Sequence, residues 1–134
     1  MPAALSLLTL ALALQVAPGT PASPTKAALE YVDARKLADA DEAGVTGSAH
    51  AAMVAVQRKL LDAGVLECAL GKPQKDFTAF TLVMQLDADG RVQQTWRQGS
   101  SPLAICLQRY LRDKTMFVPP KAPFMTALEV SFTK

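Results

Sequence analysis

The chain has 134 residues, with 14 basic and 12 acidic side chains and a formal charge of +2. That length suits one domain with a core able to fold alone, and so even a charge balance leaves no electrostatic footprint for nucleic acid. One histidine and two cysteines among 134 residues form neither a Ser/His/Asp arrangement nor a Cys-x-x-Cys redox motif, so the chain is read as a non-enzyme without cofactor or metal.

Residues 1–22 stand apart. Ala3 to Ala17 is apolar except for Ser6, Thr9 and Gln15, and Pro18-Gly19-Thr20-Pro21-Ala22 follows. An apolar run of about 15 residues is short for a bilayer span, which needs roughly 20. The segment is read as a secretory signal peptide, with cleavage after Gly19 or Ala22, where small residues occupy the positions that signal peptidase reads. The expectation is an exported, periplasmic protein with no membrane span after processing. Residues 23–134 then form a single α+β domain, helical over 23–64 and β-rich over 65–134.

Pro18 to Lys26 reads as a linker. From Ala27 a first helix is expected, with Leu29, Val32 and either Lys36 or Leu37 on a thin apolar face that packs loosely. Gly44 and Gly47 interrupt it. Ser48 is read as the cap of a second helix, Ala49 to about Ala63, with Met53, Val56 and Leu60 on one stripe and Gly64 as its stop. His50, in its first turn, has no second metal ligand at helical spacing and reads as a surface residue. Val65 to Leu70, containing Cys68, reads as an extended segment.

Phe77 to Trp96 carries the strongest pattern. Phe80, Leu82, Met84 and Leu86 share one face of a strand, with Thr81, Gln85 and Asp87 opposite beside Val83. The reading is a half-buried strand. Asp87-Ala88-Asp89-Gly90 supplies a turn, with its two carboxylates read as solvated, and Val92 and Trp96 return in a second strand. Trp96 beside Arg91 and Arg97 is read as packing, not as a platform for stacking on single-stranded nucleic acid.

Ser100-Ser101-Pro102 starts a helix running to about Lys114. Leu103, Cys106, Leu107, Tyr110 and Leu111 recur at i, i+3, i+4, i+7 and i+8, which turns Cys106 inward. The prolines at 119, 120 and 123 prevent its continuation. Phe124, Thr126, Leu128, Val130 and Phe132 then alternate in a last strand. The order strand, strand, helix, strand gives a β-β-α-β unit with a three-stranded antiparallel sheet, order 2-1-3, and a helix packed on one face. Leu103, Leu107 and Tyr110 are expected against Phe80, Leu82, Leu128 and Val130.

For an exported chain, the even cysteine count gives a Cys68–Cys106 disulfide; the other reading is two buried free thiols. The last strand lies at an edge of the sheet, and an edge offers unpaired backbone groups to another strand.

A hydrophobic strand, Asp89-Gly90-Arg91-Val92, the pair Ser100-Ser101 opening a helix that holds a Cys, Phe117 with Pro119-Pro120, and a final strand to Phe132 together resemble the C-terminal domain of TonB-like proteins, AgmX/PglI type. The resemblance covers roughly residues 68–134. It implies a two-layer periplasmic domain that recognises an envelope protein, or an extended peptide segment of one, by strand addition at the last strand. The binding edge read here is Met125, Ala127, Glu129 and Ser131, on a monomer or weak dimer. The competing reading is a small periplasmic or secreted inhibitor or immunity protein that acts through the loop Pro119 to Pro123.

Overall fold

A computed structural model describes residues 29–133. Its elements run α1 (Tyr31–Ala43), α2 (Gly47–Ala69), β1 (Phe80–Leu86), β2 (Val92–Gln98), α3 (Pro102–Leu111) and β3 (Phe124–Val130). The signal peptide and linker readings lie outside the described residues. Among these residues no helix is long and apolar enough to cross a membrane.

The hairpin β1–β2 forms as its alternation requires, and β3 returns beside β1, giving an antiparallel sheet of order β2-β1-β3. The turn is held by one carboxylate. Asp87 Oδ1 accepts the backbone N–H groups of Asp89 and Arg91, each at 2.9 Å. Gly90 sits at φ +86°, where a Cβ would be penalised. Its carbonyl accepts from Met116 N at 2.8 Å, and Lys114 O accepts from Val92 N at 2.9 Å, so the chain after α3 is laced to the hairpin end.

One face of the sheet carries the main core. Phe80, Leu82, Met84, Leu128 and Val130 meet Leu103, Leu107 and Leu111 of α3 and Met53 and Cys68 of α2, with Tyr110 packed at the margin. Ser101 caps α3 as expected, its Oγ accepting from Ala104 N at 3.1 Å.

The N-terminal half departs from its sequence pattern in three ways. First, α2 does not stop at Gly64, and Val65 to Ala69 is helical, not extended. The division between residues 64 and 65 therefore falls inside a helix. Gly64 lies where α2 crosses α3: a Cβ there would come within 2.7 Å of both Leu107 Cδ2 and Tyr110 Cδ1. Four residues later on the same helical face, Cys68 bonds to Cys106, with the Cα atoms 5.9 Å apart. That separation is within the ordinary range for a bridge.

Second, the cap of α2 is Thr46, not Ser48. Third, α1 packs tightly, but through its small residues. Ala34 and Ala38 are fully buried against Val83 and Met125, with Tyr31, Trp96 and Ala127 around them. The apolar residues expected to face the core look outward instead, Val32 being 60% exposed. Alanines let the helix backbone approach the sheet closely, and the broader side chains are left to solvent. β1 is consequently covered on both faces, and the expectation of a half-buried strand fails at Val83, which has no exposure.

Gly64→Ala tests the crossing. Replacing a helical glycine gains about 1 kcal/mol in propensity, whereas overpacking a filled contact costs about 1–3 kcal/mol. The buried position makes overpacking the larger effect, and a lower urea midpoint is expected.

Candidate functional site

β3 is an edge strand, and the outward backbone groups of such a strand come from every second residue. Met125 and Ala127 mark that set. Met125 N donates to Asp41 Oδ2 and Ala127 N to Glu42 Oε1, each at 2.8 Å. The first half of the edge read as a binding site is therefore occupied by carboxylates from the last turn of α1. Asp41 also takes Lys121 Nζ at 2.7 Å, which pins the proline-rich loop to the same helix end. In that loop Pro119 is buried, while Pro120 to Pro123 are exposed.

Glu42 reaches further. Its Oε1 accepts from Thr126 Oγ1, which in turn accepts from Gln57 Nε2 of α2. This chain of hydrogen bonds passes around the strand from one helical layer to the other.

Glu129 and Ser131 continue the alternation toward the C-terminus. The Glu129 side chain bonds to Arg35 of α1. Burial works against the Arg35 charge, but the hydrogen bond to Glu129 and the charges of Asp39 and Glu129 outweigh it, and the guanidinium is held above its ordinary value. The backbone N–H groups of Glu129 and Ser131 have no partner among the described residues.

Beside this open half lies a groove of about 600 Å³, walled by Arg58, Leu61, Asp62, Val65, Leu66 and Ala69 of α2 and by Glu129 to Phe132. Its floor is largely apolar. Leu66 is 66% exposed, and the Phe132 ring meets Phe77 edge-on at a centroid distance of 5.4 Å. Next to Phe77, a hydrogen bond from the Thr78 hydroxyl, reinforced by its backbone N–H, holds the Asp76 carboxyl below the usual range.

The four edge residues read from sequence run along one edge, Met125, Ala127 and Glu129 within β3 and Ser131 one residue past its end, and they divide into a bonded pair and an open pair. The groove wall formed by Val65, Leu66 and Ala69 is not legible in the sequence, because the pattern from Val65 reads as extended and the structure continues α2 through it. The clasp did have a signal. Acidic residues in the last turn of a helix oppose its dipole, and Asp41 and Glu42 sit there with no basic residue in the same turn. Such a local conflict implies donors supplied from elsewhere in the fold.

His50 is exposed on α2. Among the described residues no group of three or more His, Cys, Asp or Glu is placed to hold a metal ion. Comparison with protein-family models, with curated proteins and with solved structures returns no match.

Proposed function

We propose that this is an exported, periplasmic protein-binding module of TonB-like type, which takes an extended segment of an envelope protein onto the open half of β3. The supporting observation is the pairing of unbonded outward backbone groups at Glu129 and Ser131 with an apolar groove alongside them. Backbone hydrogen bonds supply affinity in strand addition, and pockets for alternate side chains supply selectivity. Arg58 and Asp62 on the groove wall lie 3.9 Å apart and offset one another. The guest is accordingly an uncharged strand with apolar residues at every second position.

Titration of the isotope-labelled chain with such peptides, drawn from envelope proteins, tests this. Shifts are expected at Leu66, Glu129, Ser131 and Phe132. Ser131→Pro removes an outward donor at a position where proline is tolerated and is expected to weaken binding by about tenfold, near the 1.4 kcal/mol upper range of one neutral hydrogen bond. Shifts confined to α1 and the first half of α2 would overturn the reading.

A further inference from the structure

The sheet has a second edge, and it is built differently. In β2, Gln94 and Trp96 lie opposite Gln85 and Val83 of β1. The alternation that turns Met125 and Ala127 outward on β3 makes these pairs the bonded ones across β1–β2 and turns Thr95 and Arg97 outward. Neither Thr95 N nor Arg97 N has a hydrogen-bond partner among the described residues. No carboxylate among the described residues clasps this edge.

Its side chains also leave the strand's flank clear. Arg97 folds back, with Nε donating to Gln108 Oε1 at 3.0 Å and a second nitrogen bonding to Gly99 O. Gln108 Nε2 donates to Thr95 Oγ1 at 3.1 Å. Both outward residues are thus drawn over α3. Edge strands normally carry a device that blocks pairing, such as an outward lysine or proline. Here the exposed positions are the uncharged Gln93, Gln94 and Gln98.

We propose that β2 pairs antiparallel with β2 of a second copy of this chain, about a twofold axis at Trp96, to make a continuous six-stranded sheet. In that register Thr95 of each copy exchanges backbone hydrogen bonds with Arg97 of the other, using the outward groups on both. Trp96 faces its own counterpart, an aromatic cross-strand pair. Gln94 faces Gln98, amides that serve each other as donor and acceptor. No like charges stand directly opposite one another; the two copies of Arg97 lie on a diagonal, each folded back onto its own Gln108 and Gly99. A self-complementary patch of this kind is what a twofold interface requires. A guest peptide fits less well, because the depression beside β2 is lined by Val92 to Trp96 with Arg112 and Asp113 and offers a row of glutamines where a guest's side chains need apolar pockets.

Sedimentation of the full chain over increasing concentration is the test. The mass is expected to rise from 14.3 kDa to twice that value, with a parallel change in the emission of Trp96, the chain's single tryptophan. The double change Gln94→Lys with Gln98→Lys sets like charges opposite one another and is expected to weaken the dimer by about tenfold or more. Gln94→Glu with Gln98→Lys sets opposite charges there and is expected to keep it. Both variants alter the same exposed positions, so a folding defect would not separate them. A chain that stays monomeric at several hundred micromolar, or that associates equally in all three forms, overturns the proposal.

Discussion

Replacing Cys68 and Cys106 by serine together is expected to lower the free energy of unfolding by about 4 kcal/mol. The bridge spans a sequence separation of 38, and closing a loop of that length restricts the unfolded chain by about this amount at room temperature. Total stability for a domain is about 5–15 kcal/mol, so the loss is a large fraction of it. The bridge joins α2 to α3 just beyond the Gly64 crossing. Urea denaturation of the oxidised, reduced and doubly substituted chains provides the check. The last two should agree with each other and fall well below the first. Equal midpoints in all three would show that the bridge does not constrain the chain.

Gly90→Ala is expected to destabilise by about 3 kcal/mol or more. Two independent costs meet at this residue. A side chain at positive φ is disfavoured by about 1–2 kcal/mol, and a new Cβ would stand 2.1 Å from the carbonyl oxygen of Phe117. The obstacle is backbone, which cannot turn aside as a rotamer can. Relief requires moving the Met116–Val118 strap, which breaks the bond from Met116 N to Gly90 O and exposes Met116, now 7% accessible. Because β1 pairs on both sides, damage at the hairpin end is transmitted to β3 as well. Thermal unfolding followed by circular dichroism measures the effect. A shift of the midpoint comparable with that of an ordinary surface substitution would mean that the strap gives way freely.

The β-β-α-β half of the chain was legible because its signals are local and agree. Alternation from Phe80 to Leu86, an Asp-Gly turn, a serine cap followed by proline, and a five-residue stripe on α3 all specify the same elements. The sheet order then follows from connection rules. The N-terminal half was legible only as helix. Its inward positions on α2 are Met53, Gln57, Gly64 and Cys68, among which only two read as apolar. Gln57 is inside because Thr126 accepts its hydrogen bond, and Gly64 because another helix lies against it. Neither reason is visible in periodicity. On α1 the rule that large residues face the core picked the wrong side, since close approach to the sheet favoured Ala34 and Ala38.

The same distinction explains the candidate site. That the last strand lies at an edge followed from topology. That half of the edge is already bonded depends on two acids far away in sequence, and a pattern of residues along one strand carries no information about what reaches it from another element.

The polar link from Gln57 through Thr126 to Glu42 has one more consequence. Were β3 to slip along β1 by a single residue, Thr126 would be carried to the opposite side of the sheet, the buried Gln57 amide would be orphaned at about 1–3 kcal/mol, and Glu42 would lose the hydroxyl that donates to it. Apolar neighbours such as Leu128 and Val130 tolerate exchange with one another far more readily. The alignment of the final strand is thus locked by a polar key, whose teeth are cut in two different helices.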